Sequence, residues 1–448
     1  MRNIGTVNRI LPDILFDELQ FVSIYVTIFL VLLSLNTRTL IHRKNMRIRK
    51  LHILSFVTCF PLSLNAQSRI YVNEYLNIGV GARALSMGGA QVANTSDAYS
   101  TYWNPAGMAN MEHEAEVGLM HAEYFGGISK YDFGAITKKL KDQKRTVGVS
   151  FIRFATDNIP YTLDYVQPDG SFDDSKLKAI SAGDYAFTFS YAQQLGWFKN
   201  KKNTSASLGA NAKVIYRNVG SMANAWGAGL DLGLRIRSGQ WQFGLMARDI
   251  TTTYTSWSFH LTEKEKEVFA KTGNEIPIKS YEVMNPRLNL GVGRYFTKPK
   301  KHFQLYTELG LDLTTDGKRQ TLISGKPVSI DPRLGLEASY KNTIFLRGGI
   351  SNLYQTGDNA DTTNTSKYFV FQPAIGVGFK IKQLHIDYAF TSLNMQDNPL
   401  YSHVVSLKLN FIKQKKTPAA VAPPVPEAPK PKSDPAKEQE QQSRPLKP

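Results

Sequence analysis

The chain has 448 residues, a formal net charge of +17 and one cysteine. Its length is enough for roughly two or three ordinary soluble domains. The cysteine, Cys59, lies in a segment that we expect to be removed on export, which excludes disulfides and thiolate metal sites from the mature protein.

Residues 46–66, MRIRKLHILSFVTCFPLSLNA, have the three parts of a secretory signal peptide. A short basic region precedes an apolar stretch at 51–64, and Ala66 is a small residue suited to a cleavage site. We therefore predict that the protein is exported and that its mature part begins after Ala66.

Residues 1–45 precede this signal, although a signal peptide belongs at the start of a chain. The favoured interpretation is an upstream start codon assigned in error, with Met46 as the true start. The alternative is an inner-membrane anchor, because 19–35 is close to the length of a membrane helix.

The stretch 81–109, GARALSMGGAQVANTSDAYSTYWNPAGMA, is too rich in Gly, Ala and Ser for a core helix and too irregular for a strand. Its Asn-Pro-Ala-Gly sequence marks a tight turn. The residues that carry this motif are Gly81, Ala82, Arg83, Met87, Gly88, Gly89, Asp97, Trp103, Asn104, Pro105, Ala106 and Gly107.

Residues 113–411 alternate between apolar and polar side chains, which is the pattern of half-buried strands. In 229–236, for example, four leucine or isoleucine side chains share one face, and Asp231 and Arg235 lie on the other. About fourteen such segments follow one another, each long enough to cross a bilayer when tilted. They are 113–123, 130–139, 144–154, 183–194, 204–218, 225–237, 240–249, 286–297, 302–314, 331–340, 343–352, 368–380, 383–393 and 401–411.

The connections are predicted to alternate between long loops and tight turns, as in outer-membrane barrels with short periplasmic turns. We therefore predict an all-β fold, a transmembrane antiparallel up-and-down β-barrel of about fourteen strands. A soluble β-sandwich is the alternative, but its strands are usually shorter. Aromatic residues near strand ends are predicted to form a girdle: Tyr124, Phe125, Tyr295, Phe296 and Phe369.

Basic residues gather at the short turns. A solvated rim against anionic head groups and a docking collar for an envelope partner both fit this position. Nucleic acid is not an expected partner, because no aromatic residues are interleaved with the basic runs to stack bases. The predicted periplasmic basic rim comprises Lys141, Lys144, Lys201, Lys202, Lys298, Lys300, Lys301 and Lys382.

The last predicted strand ends in an alternating apolar pattern, Leu407, Leu409 and Phe411. This pattern resembles the C-terminal signal that barrel-assembly machinery reads. Residues 412–448 follow it, are rich in Pro, Ala and Lys, and lack aromatic residues. We expect them to form a disordered periplasmic tail, because they cannot bury enough apolar area to offset chain entropy.

A barrel of about fourteen strands is wider than its own side chains can fill, so it must conduct water or be plugged. Residues 67–112 are the predicted N-terminal plug, or hatch, of this barrel. Small residues would let its backbone pass close to the wall, and Tyr99, Tyr102 and Trp103 would wedge it against the lumen.

The run from Ile78 to Ala93, the pair Asp97-Ala98 and the stretch Tyr102–Ala109 closely resemble the N-terminal region of the PorV/PorQ family of Bacteroidota outer-membrane proteins. That family is itself similar to the FadL long-chain fatty-acid transporters. The resemblance implies a fourteen-stranded FadL-like barrel with an N-terminal hatch. For the family's best-known member it also implies a role in type IX secretion, in association with the translocon and its cargo.

No nucleophile constellation or metal-ligand spacing stands out, so we expect no enzymatic activity and no cofactor. His385 and Asp387 share an inward strand face, where a polar lumen pair is the favoured interpretation and general-base chemistry the alternative.

Two functions remain at this point, both in the cell outer membrane with lipid around the barrel. The first is an export accessory that binds type IX translocon subunits, secreted cargo or both. The second is a FadL-like transporter that takes up long-chain fatty acids or another hydrophobic ligand. The inward positions Asp231, Arg235, Asn289, Glu308, Asp312 and Lys408 are polar, which favours the first.

Overall fold

The computed structural model of the protein describes residues 72–162, 165, 171–198, 203–271, 275, 279–297, 302–315, 317–326, 328–357, 367–392 and 401–411. The upstream region 1–45, the signal peptide 46–66 and the tail 412–448 lie outside these residues. Within the described ranges, no helix is both long and apolar enough to span a membrane.

The described residues form seventeen β-strands. They are β1 (Ala115–Tyr124), β2 (Ser129–Lys139), β3 (Arg145–Tyr161), β4 (Lys178–Leu195), β5 (Thr204–Val219), β6 (Ala223–Ser238), β7 (Trp241–Arg248), β8 (Thr253–Phe259), β9 (Lys279–Met284), β10 (Arg287–Tyr295), β11 (Phe303–Thr314), β12 (Ile323–Ser324), β13 (Ser329–Tyr340), β14 (Ile344–Gly357), β15 (Lys367–Ile381), β16 (Leu384–Ser392) and β17 (Tyr401–Phe411).

Helices are few and short. The α-helices of the described ranges are α1 (Ala82–Ser86), α2 (Ser100–Trp103) and α3 (Glu263–Lys271). Short 3₁₀ helices cover Glu74–Asn77, Pro105–Asn110, Phe125–Gly127 and Asp174–Lys176.

Fourteen of the strands close into an antiparallel barrel. Strands β1 to β7 pair in sequence, β7 pairs with β10, β10 with β11, β11 with β13, and β13 to β17 pair in sequence. The ring closes where β17 pairs with β1, from Ala115 opposite Phe411 to Glu123 opposite His403. Closure leaves no strand edge unpaired in lipid, which a membrane-spanning sheet requires. The predicted barrel and its strand number are confirmed.

Side chains alternate across the wall as the sequence pattern predicts. In β6, Leu230 is 43% exposed on the outer face, whereas Asp231 and Arg235 on the inner face are 3% and 5% exposed. Because a strand has a side-chain period of two, the same register keeps the apolar residues of every strand toward lipid.

One end of the barrel carries the chain termini of the described wall, where β1 begins and β17 ends, and we call it the termini end. The opposite end, which we call the loop end, is where long connections join β3 to β4, β7 to β10 and β11 to β13, and where β14 and β16 also end. Two loop-end connections, 125–128 and 220–222, are short, so the predicted strict alternation is wrong there. Both are tight turns built on glycines with positive φ: Gly126, Gly127 and Gly220.

The longest described connection contains structure that the sequence pattern did not predict. Strands β8 and β9 form a hairpin that extends the wall beside β6, with α3 between them. A capping box starts α3: the Thr262 hydroxyl accepts a hydrogen bond from the Glu265 amide, and the Glu265 carboxylate accepts one from the Thr262 amide. The Tyr161 hydroxyl donates to the same carboxylate and ties α3 to β3.

Candidate functional site: the filled bore

The bore is occupied by residues 72–111, which we call the N-terminal segment. It consists of short helical turns joined at glycines with positive φ, among them Gly81 at 87° and Gly88 at 64°. Only glycine adopts such φ values without steric cost, so each allows the chain to reverse within a narrow space. Helical turns satisfy the backbone of the segment locally, because no neighbouring strand can do so inside the bore.

The wall approaches this segment through glycines on its inner face. A Cβ on Gly244 would overlap the carbonyl of Val92, and one on Gly209 would overlap the backbone of Pro105 and Ala106. A Cβ on Gly335 would lie 2.7 Å from the carbonyl oxygen of Met87. Since the nearest atoms are backbone, no side chain could rotate away. The close fit of segment and wall therefore requires glycine, which has no side chain, at these three wall positions.

A chain of ion pairs ties α1 to the wall. Arg83 binds Glu337 through two parallel bonds, Nε to Oε2 at 2.8 Å and Nη2 to Oε1 at 3.0 Å. Arg347 Nε donates to the same carboxylate at 2.7 Å, and Arg347 Nη1 donates to Asp387 at 2.7 Å. Burial opposes the charge of Arg83, but the carboxylate of Glu337 outweighs burial and raises the pKa of Arg83 above its ordinary value.

A second tie joins the segment to the last strand. Asp97 Oδ2 accepts a hydrogen bond from Lys408 Nζ at 2.9 Å. Burial by itself would raise the pKa of Asp97, but the charges of Lys408 and Arg83 outweigh it and hold that pKa below its ordinary value. Asp97 is therefore a carboxylate at neutral pH.

The wall also satisfies backbone groups that the segment leaves unpaired. Glu308 Oε1 accepts from the Ala93 amide at 2.8 Å, and Arg235 Nε donates to the Ala93 carbonyl at 2.7 Å. In the opposite direction, Asn104 of the segment donates from Nδ2 to the Leu234 carbonyl of the wall and to the Val92 carbonyl of the segment, both at 3.1 Å. Buried polar residues of the wall thus act as capping groups for an irregular chain.

The aromatic residues of the segment hold its turns together. Trp103 Nε1 donates to the Val80 carbonyl at 2.8 Å, and the Tyr102 hydroxyl donates to the Leu76 carbonyl at 2.7 Å. The Tyr99 hydroxyl reaches the carbonyls of Leu119 and Leu407 on adjoining strands. Each ring is at least nine-tenths buried, so these bonds form away from water.

A cavity of about 280 Å³ remains at the loop end, between the N-terminal segment and the wall of β10, β11, β13 and β14. Every residue that lines it has a charged, amide or hydroxyl side chain; the charged ones are Glu74, Arg287, Asp312, Arg319, Asp331 and Arg333. Such a lining is suited to a polar ligand and not to a hydrocarbon.

Comparison with known proteins gives a family for the first part of the chain. Residues 65–198 match the family described as "Type IX secretion system protein PorV". This region of the chain is similar to that family. The resemblance noted in the sequence is confirmed over this region, which spans the N-terminal segment and strands β1 to β4. No curated protein matches the chain.

Among solved structures, the chain is similar to the toluene transporter TbuX of Ralstonia pickettii, with 13% identity over 74% of this chain and 98% of that one and a TM-score of 0.43. It is also similar to a FadL homologue of Pseudomonas aeruginosa, with 12% identity over 77% of this chain and 99% of that one and a TM-score of 0.44.

The structure brings the residues of the PorV-family motif together inside the bore. Arg83, Asp97, Trp103 and Asn104 make the contacts described above. Gly233 lies against the side chain of Asn104. Asn104 Oδ1 accepts a hydrogen bond from the Ala106 amide at 3.2 Å, with Pro105 at the first position of the 3₁₀ helix. Gly89 approaches Arg333, and Gly107 approaches the Thr95 carbonyl. Ala82 donates its amide to the Ser406 hydroxyl at 2.7 Å.

The basic rim and the terminal apolar pattern lie elsewhere. Lys141, Lys144 and Lys382 are exposed in termini-end turns, whereas Lys201, Lys202, Lys298, Lys300 and Lys301 lie outside the described residues. Leu407, Leu409 and Phe411 point outward from β17 and are 39%, 39% and 45% exposed. All three face lipid on the strand that closes the ring.

Two of the residues predicted to form the aromatic girdle, Tyr124 and Tyr295, face inward instead. Phe296 and Phe369 are exposed on the outer face, at 53% and 62%. Tyr124 is fully buried, however, and the Tyr295 hydroxyl contacts Asn94 of the N-terminal segment. The prediction is wrong for these tyrosines because it used nearness to a strand end without the parity of the strand.

Sequence reasoning missed the residues that receive Arg83. Glu337 and Arg347 lie at inward positions of β13 and β14, and the alternation of those strands could have identified them. It could not have paired them with Arg83, because that contact spans 254 positions of the chain. Asp387 accepts a hydrogen bond from Arg347 Nη1 at 2.7 Å, which the alternation of β16 could not have shown.

Proposed function

We propose that this outer-membrane barrel is an accessory of type IX secretion or cell-surface export that binds translocon subunits, cargo proteins or both. The observation that carries this proposal is the PorV-family match over residues 65–198. The filled bore supports this proposal. Buried ion pairs tie the segment to the wall, so partner proteins would bind to the outer surfaces of the barrel and not pass through the bore.

We further propose that the loop end faces the cell exterior and that the termini end and the tail 412–448 face the periplasm. Outer-membrane barrels place short turns in the periplasm and long loops outside. The exposed lysines of the termini-end turns would then meet envelope partners or anionic lipid.

Uptake of a hydrophobic molecule is the less favoured function. A hydrocarbon-binding pocket is lined mainly by apolar and aromatic side chains. The loop-end cavity is lined by charged, amide and hydroxyl groups instead.

Deletion of the gene tests the proposal. We expect loss of export of cargo with a C-terminal sorting domain, with normal growth on long-chain fatty acids as sole carbon source. Affinity purification of the tagged barrel from detergent-solubilised outer membranes should recover translocon subunits or cargo. Normal export with impaired growth on fatty acids would contradict the proposal and favour uptake.

A further inference from the structure

The loop-end cavity described above has a balanced set of charges. Arg287, Arg319 and Arg333 supply three guanidinium groups, and Glu74, Asp312 and Asp331 supply three carboxylates. The formal charge of the lining is therefore zero. A ligand with net charge of either sign would meet as much repulsion as attraction, whereas a ligand carrying both signs can satisfy both sets.

Existing ion pairs use only part of this set. Arg287 Nη2 and Arg333 Nη2 both bind Asp312 Oδ2, at 2.7 and 3.0 Å, and Arg333 Nε binds Asp331 Oδ2 at 3.4 Å. Because both arginines share one oxygen of Asp312, its second oxygen has bonding capacity left.

Among the residues that the structure describes, four buried atoms on this set and its neighbour Thr314 have no hydrogen-bond partner: Arg287 Nε, Asp312 Oδ1, Asp331 Oδ1 and Thr314 Oγ1. The four side chains belong to residues at most 8% exposed, and all four residues line the cavity. Buried polar groups in proteins are nearly always paired, so groups left unpaired together beside one cavity point to a missing partner.

The chemistry of the missing partner follows from what each atom can do. Arg287 Nε only donates, so the partner must accept a hydrogen bond there. Asp312 Oδ1 and Asp331 Oδ1 only accept when ionised, so the partner must also donate, and a cationic donor is favoured between two carboxylates. Thr314 can play either role.

We propose that this cavity binds a small zwitterion that carries an ammonium group and a carboxylate, as a free amino acid does. The carboxylate lies against Arg287, and the ammonium lies between Asp312 and Asp331. This site does not depend on the export proposal, because it rests on the cavity alone.

The N-terminal segment forms one side of the site. Arg319, from the connection between β11 and β13, binds Glu74 of that segment at 2.9 Å. This contact joins the loop end to the segment at the edge of the cavity. A bound zwitterion would therefore touch both the wall and the segment, and would stabilise their association by mass action.

Titration calorimetry on the purified full-length barrel in detergent tests the site, with L-glutamine as the probe. Butyrate and n-butylamine supply the carboxylate and the ammonium separately. We expect saturable binding of L-glutamine and at least about tenfold weaker binding of either half-ligand, since each charge-assisted hydrogen bond contributes roughly 1.5–3 kcal/mol.

Variants locate the binding. Asp331→Asn and Arg287→Gln should each weaken L-glutamine binding by about tenfold or more. Both leave Arg333 paired with Asp312, so the barrel should still fold. Asp184→Asn is the matched control, because Asp184 is an ion-paired carboxylate of the inner wall on β4, bound to Arg217 and outside the cavity. No saturable heat with L-glutamine, equal binding of butyrate, or an equal loss in the Asp184 variant would overturn the site.

Discussion

Replacing Glu337 by alanine is expected to lower the free energy of unfolding of the barrel by about 3–5 kcal/mol, the usual cost of breaking a buried ion pair from one side. The substitution removes the carboxylate that Arg83 and Arg347 share. Arg347 keeps Asp387, but Arg83 loses its bidentate partner while remaining largely buried. Denaturant titration of the protein in micelles or vesicles measures the change.

Two variants make that result interpretable. Glu337→Gln keeps the shape and part of the hydrogen bonding, so it should fall between the wild type and Glu337→Ala. Glu267→Ala removes an exposed ion pair with Lys271 on α3, and we expect no measurable change there, because solvent screens such pairs. Equal unfolding free energies for Glu337→Ala and the wild type would mean that the Arg83 tie is not formed.

Replacing Gly349 by alanine is expected to displace the turn at Met87 and Gly88 from the wall. The added Cβ would overlap the backbone of both residues, so no side-chain rotation relieves the contact. Overpacking of this kind costs about 1–3 kcal/mol. Because the strand pairing of β14 is unaffected, the barrel should still close. Unfolding free energy and ion conductance across planar bilayers report the loosened segment.

The adjacent glycine supplies the control for this prediction. A Cβ on Gly348, on the opposite face of β14, has its nearest neighbour at 4.0 Å, so Gly348→Ala should be neutral. If both substitutions behave alike, the segment does not press against Gly349, and the close fit of segment and wall is wrong.

The strand pattern made the wall predictable from the sequence. Fourteen alternating segments predicted fourteen barrel strands, because a period of two with one apolar face is repeated wherever lipid covers that face. The hairpin of β8 and β9 escaped prediction. It extends the wall within a long connection, where the alternation of a short strand such as Thr253–Phe259 is weak.

The contacts inside the bore were less predictable, for a physical reason. The small residues of the motif indicated close packing, and inward polar positions such as Glu308 and Asp312 were identified by parity. Which wall residue meets which segment residue depends on how the ring closes, and Lys408 meets Asp97 across 311 positions of the chain. No local pattern encodes such a pairing. The cavity likewise arises only when loop, wall and segment come together.

The central claim, that the N-terminal segment is built into the bore, is tested most directly by a disulfide between Ala98→Cys and Gly118→Cys in a Cys59→Ser background. The Cβ of Ala98 lies 3.2 Å from the position of a Cβ on Gly118, close to the separation that a disulfide spans. Gly134→Cys, on the outer face of β2, replaces Gly118→Cys in the control pair. We predict cross-linking of the first pair in native outer membranes and none of the second. Absence of the first cross-link, or equal cross-linking of both pairs, would contradict the claim.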